Sequence, residues 1–82
     1  MNAQSRPLNA IARDIRKDWG AKVNYAARPY LEAMLSLDSI QDPYYNDSGR
    51  SVVLYFLANA GTYRGENAKA LKAELKALAG VK

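Results

Sequence analysis

The chain has neither cysteine nor histidine among its 82 residues. Without cysteine, no disulfide and no thiolate-bound metal can hold the fold together, and the composition suits a reducing cytoplasm. Without histidine, the commonest general base and the commonest metal ligand are both missing. That excludes Ser-His-Asp and Cys-His catalysis, the usual zinc sites and most acid–base enzymes. Two further absences concern membranes. No apolar run reaches the roughly 20 residues a bilayer demands, and no apolar h-region of a secretory signal follows the first charges. No internal repeat or low-complexity segment is present. The expectation is a non-catalytic cytoplasmic protein with no cofactor and no bound metal.

What is present is one domain's worth of chain. At this length only about 60–65% of the unfolded surface is buried, so a stability near 5 kcal/mol is expected. The formal net charge of +4 is divided into +3 over residues 1–22, −2 over 23–50 and +3 over 51–82. Two basic ends around an acidic middle fit either a nucleic-acid footprint or complementarity between packed segments.

The densest apolar stretch runs from Ser51 to Ala60 and includes Val52, Val53, Leu54, Tyr55, Phe56 and Leu57. On a helical wheel it leaves no polar face, the pattern of a buried helix. Asp47 and Ser48 are available as N-caps, and Gly61 suits a left-handed terminator, so helix is favoured over strand. The other segments read as helices that cover this one. Pro7 opens a pattern in which Leu8, Ile11, Ala12, Ile15 and Trp19 recur at spacings of three and four, ending near Gly20. Asn24 can cap a turn before Pro29, after which Tyr30, Leu31, Met34, Leu35 and Leu37 point inward. Ala68, Leu71, Leu75 and Leu78 mark a last helix, entered through Thr62 or Gly65 and ended by Gly80. The expected fold is all-α: a compact four-helix domain with a buried central third helix. Its helices fall at 7–19, 25 or 29 to 37, 48–60 and 65–79.

Candidate sites fall in two sets. Residues 38–49 change to Asp, Ser, Gln, Pro, Tyr, Asn and Gly, with Ile40 as an anchor into the core. Within it Asp42, Tyr44, Tyr45, Asp47 and Arg50 form a candidate partner-binding loop, because tyrosine offers large contact area with few rotors to freeze. The alternative for the rings is to cover the apolar run. The second set is basic: Arg6, Arg13, Arg16 and Lys17 on the first helix, and Lys69, Lys72 and Lys76 on the last, where phosphates could be contacted. Solvated helix faces look the same. Whether the two stripes share one surface depends on tertiary arrangement. Other chemistry is poorly served. Asp38, Asp42 and Asp47 do not follow a calcium-loop spacing, and Ser48-Gly49-Arg50-Ser51 lacks the lysine and glycine frame of a phosphate loop. The Lys-Leu terminal helix has a nearer use than a membrane surface. The smooth face of Ala70, Ala73 and Ala77 would permit a homodimer.

The residues from Asp47 to Ala60, with Arg64-Gly65-Glu66 and Lys72-Ala73-Glu74-Leu75-Lys76 beyond them, resemble short proteins of bacteriophages and bacterial mobile elements. The resemblance extends back toward Pro29-Tyr30-Leu31. It implies an accessory protein that binds and redirects host machinery, including defence systems, or regulates its own genes; it carries no residue roles. The leading expectation is therefore a protein-binding module that acts as an inhibitor of a host or defence complex. A small basic nucleic-acid-binding regulator is the alternative.

Overall fold

A computed structural model describes residues 6–44 and 47–80 of the chain. Four α-helices are present: α1 (Leu8–Trp19), α2 (Arg28–Leu35), α3 (Gly49–Ala58) and α4 (Glu66–Ala79). The four-helix, all-α expectation holds, and the apolar run 52–57 is helical. Between α2 and α3 lies one short hairpin, β1 (Pro43–Tyr44) against antiparallel β2 (Asp47–Ser48), with Pro43 opposite Ser48 and Tyr44 opposite Asp47. Tyr45, Asn46 and the side chain of Tyr44 lie outside the described residues.

The helix ends explain the boundaries. Pro7 is the residue before α1 and supplies no side-chain cap, so the orphan donors of the first turn must find partners elsewhere. They find them in the segment after α2: Leu8 N–H donates to the Asp38 carbonyl at 2.9 Å and Asn9 N–H to that of Leu37 at 3.0 Å. The Asn9 amide adds a bond to Asp38 Oδ1 at 2.8 Å. At its other end α1 stops at Gly20, whose φ of 61° suits a residue with no Cβ.

Asn24 organises the entry to α2, accepting from Ala26 N–H through its side chain and from Ala27 and Arg28 N–H through its carbonyl. The turn 25–27 is therefore separate from α2, and Pro29 sits in the first helical turn where its missing N–H costs nothing. Ser48 caps α3, its Oγ accepting from Ser51 N–H at 3.2 Å. The end of α3 differs from the expected left-handed Gly61. The helix closes at Asn59, whose N–H bonds back to Phe56 O and whose amide donates to Tyr55 O, while Gly61 has no positive φ. A polar side chain that satisfies a terminal carbonyl does here what a glycine often does. α4 starts after Gly65 and ends at a left-handed Gly80.

The helices pack α1 on α2 and α4, and α3 on α2 and α4, so α1 and α3 face each other across the bundle. Leu8, Ile11, Ala12, Ile15 and Trp19 of α1 meet Leu31 and Met34 of α2, Val52, Val53 and Phe56 of α3, and Leu71 and Leu75 of α4. Ile40 packs against this core from the loop, as expected. The third helix contributes Phe56 to the centre, but it is buried along one side only. Leu54 and Leu57 are partly covered, and Tyr55 is 50% exposed. α1 shares the central position. Among the described residues no charged side chain is buried, and no helix is long and apolar enough to cross a membrane.

Gly49 marks the tightest backbone approach. A Cβ there would lie 2.6 Å from the Ser39 carbonyl oxygen and 2.9 Å from Ile40 Cα, both rigid main-chain atoms. Gly49→Ala is expected to cost about 1–3 kcal/mol, a large share of the total stability. Gly61→Ala, where an added Cβ meets nothing within 4 Å, should change stability by less than about 0.5 kcal/mol. Urea unfolding of both variants measures the contrast.

Candidate binding surfaces

The loop around the hairpin is built from its own polar groups. Asp42 Oδ2 accepts from the N–H groups of Asp38 at 2.9 Å and Ser39 at 3.2 Å, and Ser39 Oγ accepts from Gln41 N–H at 3.1 Å. The Asp42 carbonyl takes Gly49 N–H and the Ile40 carbonyl takes Arg50 N–H, both at 2.8 Å, so the same loop starts α3. Arg50 turns to α4, its Nε donating to the Ala79 carbonyl at 2.8 Å. That bond satisfies one of the orphan carbonyls at a helix C-terminus with a cation, the sign the helix dipole favours there. Asp42 and Arg50 are thus engaged within the fold, while Asp47 is exposed on β2. Tyr45 falls outside the described residues. Asp38, Asp42 and Asp47 do not converge into a three-carboxylate group.

The basic residues of the first and last helices do not form one stripe. Arg6 leaves the set altogether: its guanidinium makes a two-point contact with Glu74, at 3.1 and 2.7 Å, and a third bond to Asp14 at 2.6 Å. The hydrogen bonds to Glu74, and then to Asp14, raise its pKa further above the ordinary arginine value. Next along the α1–α4 seam, Asp18 accepts from the Tyr63 hydroxyl at 2.7 Å and the Asn67 amide at 3.1 Å. Asp14, Lys17, Asp18, Asn67, Ala70 and Leu71 line an open groove of about 510 Å³ there. Carboxylates therefore run between the two basic sets. Arg13 and Lys17 are exposed on α1, and Arg16 lies toward α2, in a second groove with Arg28 and Glu32.

Lys69, Lys72 and Lys76 occupy the flank of α4 away from Glu74. With Tyr63, Arg64, Gly65 and Ala73 they line an open groove of about 500 Å³ that contains four cations and no carboxylate. Tyr63 is its floor. The ring is 2% exposed, stacks on Trp19 at 4.7 Å with planes 17° apart, and carries the Lys72 ammonium 5.6 Å from its centroid. Burial, reinforced by Lys76 and Arg64, lowers the Lys72 pKa. Periodicity gave no hint of Tyr63 and Arg64, because both lie in the junction between helices. The one available signal was a tyrosine three residues beyond Ala60, where the central apolar run ends.

A second aromatic surface lies between α2 and α3. Tyr30, partly buried, stacks on half-exposed Tyr55 with centroids 5.5 Å apart and planes at 30°. Tyr25 is 87% exposed in the turn before α2. Compared with known proteins, the chain matches no family model, no curated protein and no solved structure.

The Tyr63–Asp18 bond gives a signed pH dependence. Burial, and then the bond to Asp18, raise the Tyr63 pKa above its ordinary 10.0. The neutral phenol is therefore favoured by folding, and its contribution is full below 10.0 and declines as the pH climbs past that value. Asp18 is shifted down from 3.8 by Asn67 first and Tyr63 second, so its contribution holds above 3.8 and declines as the pH falls below it. Tyr63→Phe should lower the melting temperature most near neutral pH, with the gap to the native chain narrowing at both extremes. Thermal unfolding followed by circular dichroism across the pH range measures this gap; a gap independent of pH would contradict it.

Proposed function

We propose that the protein is a non-catalytic recognition module that docks on a bacterial protein through the tyrosine-bearing surface of α2, α3 and the intervening hairpin. The observation that carries this reading is the placement of Tyr55. It stands on the most apolar helix of the chain yet leaves half its surface to solvent, held flat by Tyr30. A stacked tyrosine has already lost much of its rotamer freedom, so little further ordering opposes contact with a partner. Tyrosine also combines apolar area with a hydroxyl that can be satisfied at a rim, which is why it concentrates at interface hot spots. Tyr44 and Asp47 are paired in the backbone of the hairpin that leads into α3, which places this segment next to the same helix in sequence.

Two further observations support recognition over catalysis. The chain has no histidine or cysteine, and among the described residues no charged side chain is buried to be tuned for proton transfer. The resemblance of Asp47 to Ala60, with Arg64-Gly65-Glu66 and Lys72 to Lys76, to short phage and mobile-element proteins suggests the setting. In that setting the module works in the host cytoplasm as an inhibitor of a host or defence complex.

Affinity capture from bacterial lysate with the full chain, quantified by mass spectrometry, tests the proposal. The native chain should enrich a protein partner. Tyr55→Ala, and separately Tyr44→Ala with Tyr45→Ala, should reduce its recovery by at least about tenfold, the effect of losing some 1.4 kcal/mol at an anchor. Recovery of the same partner by all of these variants, or of none by the native chain, would defeat the reading.

A further inference from the structure

We propose that the flank of α4 bearing Lys69, Lys72 and Lys76, together with Arg64, is a docking site for the phosphodiester backbone of nucleic acid. This surface is distinct in residues and chemistry from the tyrosine surface and does not depend on it. Three features point to the occupant. First, the four cations line one groove with no carboxylate, and none of them is in an ion pair among the described residues, where the two ion pairs both belong to Arg6. Glu66, the acid nearest in sequence, does not line the groove. The charged groups of the lining are therefore all positive, and the Lys72 ammonium is disfavoured by burial first and by the crowding of Lys76 and Arg64 second. An anion would relieve it.

Second, the charge is strung out rather than gathered. Lys69 and Lys76 are two helical turns apart, about 10 Å of rise. That suits a chain carrying one charge per roughly 3.4 Å of axis on each strand better than a single phosphate ion. Third, the groove offers little besides charge. Its remaining lining is Gly65, Ala73 and Tyr63, and the Tyr63 ring is covered by Trp19 on one face and Lys72 on the other. No aromatic face is free to stack a base, and no central apolar anchor is present for an acidic protein partner. Contacts to phosphates, without readout of bases, are what such a surface can make.

Fluorescence anisotropy with labelled single-stranded DNA and duplex of about 20 nucleotides, titrated between about 50 and 200 mM salt, tests the proposal. Four phosphate contacts give a slope of log K against log salt of about −3.6 for duplex and −2.8 for single strand, so duplex affinity should fall roughly 100-fold across that range. The triple variant Arg64→Gln, Lys69→Gln, Lys76→Gln alters exposed residues only. It should keep the native melting temperature, flatten the duplex slope to about −0.9 and weaken binding at low salt by at least about tenfold. Arg13→Gln with Lys17→Gln, on α1 and outside the groove of the four cations, and Tyr55→Ala should each bind as the native chain does. The proposal is overturned by absence of binding at about 50 mM salt, or by a native duplex slope shallower than about −2. It is equally overturned if the triple variant binds unchanged, or if polyglutamate competes better than unlabelled duplex at equal charge.

Discussion

The start of two helices depends on one short segment of main chain. The carbonyls of Leu37 and Asp38 receive the first donors of α1, and those of Ile40 and Asp42 receive the first donors of α3. Asp42 in turn holds the segment by accepting from Asp38 and Ser39. Helix starts left without partners are costly where water is excluded, and Pro7 cannot cap α1 by itself. This is why Gly49 must bring α3 so close to Ser39 and Ile40. The acidic, polar composition of residues 38–49 reads from sequence as a recognition loop, yet much of its polarity is used to fasten α1, α2 and α3 to one another.

The second constraint is how the fold divides its charge. Acidic groups of α1 and α4 gather along their shared seam, where Glu74 and Asp14 hold Arg6 and Asp18 holds Tyr63 and Asn67. Exposed pairs of this kind stabilise little individually. Their larger consequence is electrostatic. By placing carboxylates between the helices, the seam leaves Lys69, Lys72 and Lys76 facing the α3–α4 junction with Arg64 as their neighbour. Tyr63 links the two arrangements, since its hydroxyl belongs to the acidic seam and its ring lies under Lys72.

A chain of this size has little interior to spare for chemistry, and its surface carries the capacity for work. Two surfaces of different character result: tyrosines between α2 and α3, cations beside α4. The outer side of α3 contributes to the first because the helix is more apolar than its buried side requires. Leu54 and Leu57 are left at the edge of the core and Tyr55 beyond it.

Helix content, the inward-facing residues of α1 and α4, the Ser48 cap and the glycine stops at Gly20 and Gly80 were legible in the sequence. These features depend on spacing and on backbone preferences that act within a few residues. The exit from α3 was misread because Asn59 caps it through its own side chain, a local competition that composition does not reveal. Which cations remain free could not be read at all. Arg6 looked like a member of a solvent-facing stripe, and only packing sets it against Glu74, 68 positions away along the chain. Likewise the apolar wheel of residues 52–57 implied burial all round, but four helices arranged in a ring can cover only the inner side of each. The sequence by itself determined an all-helical domain without thiol or imidazole chemistry, since composition and periodicity are properties of the chain alone. The tertiary structure decided which charges are neutralised and which aromatic rings reach solvent, because pairing and exposure depend on residues that only folding brings together.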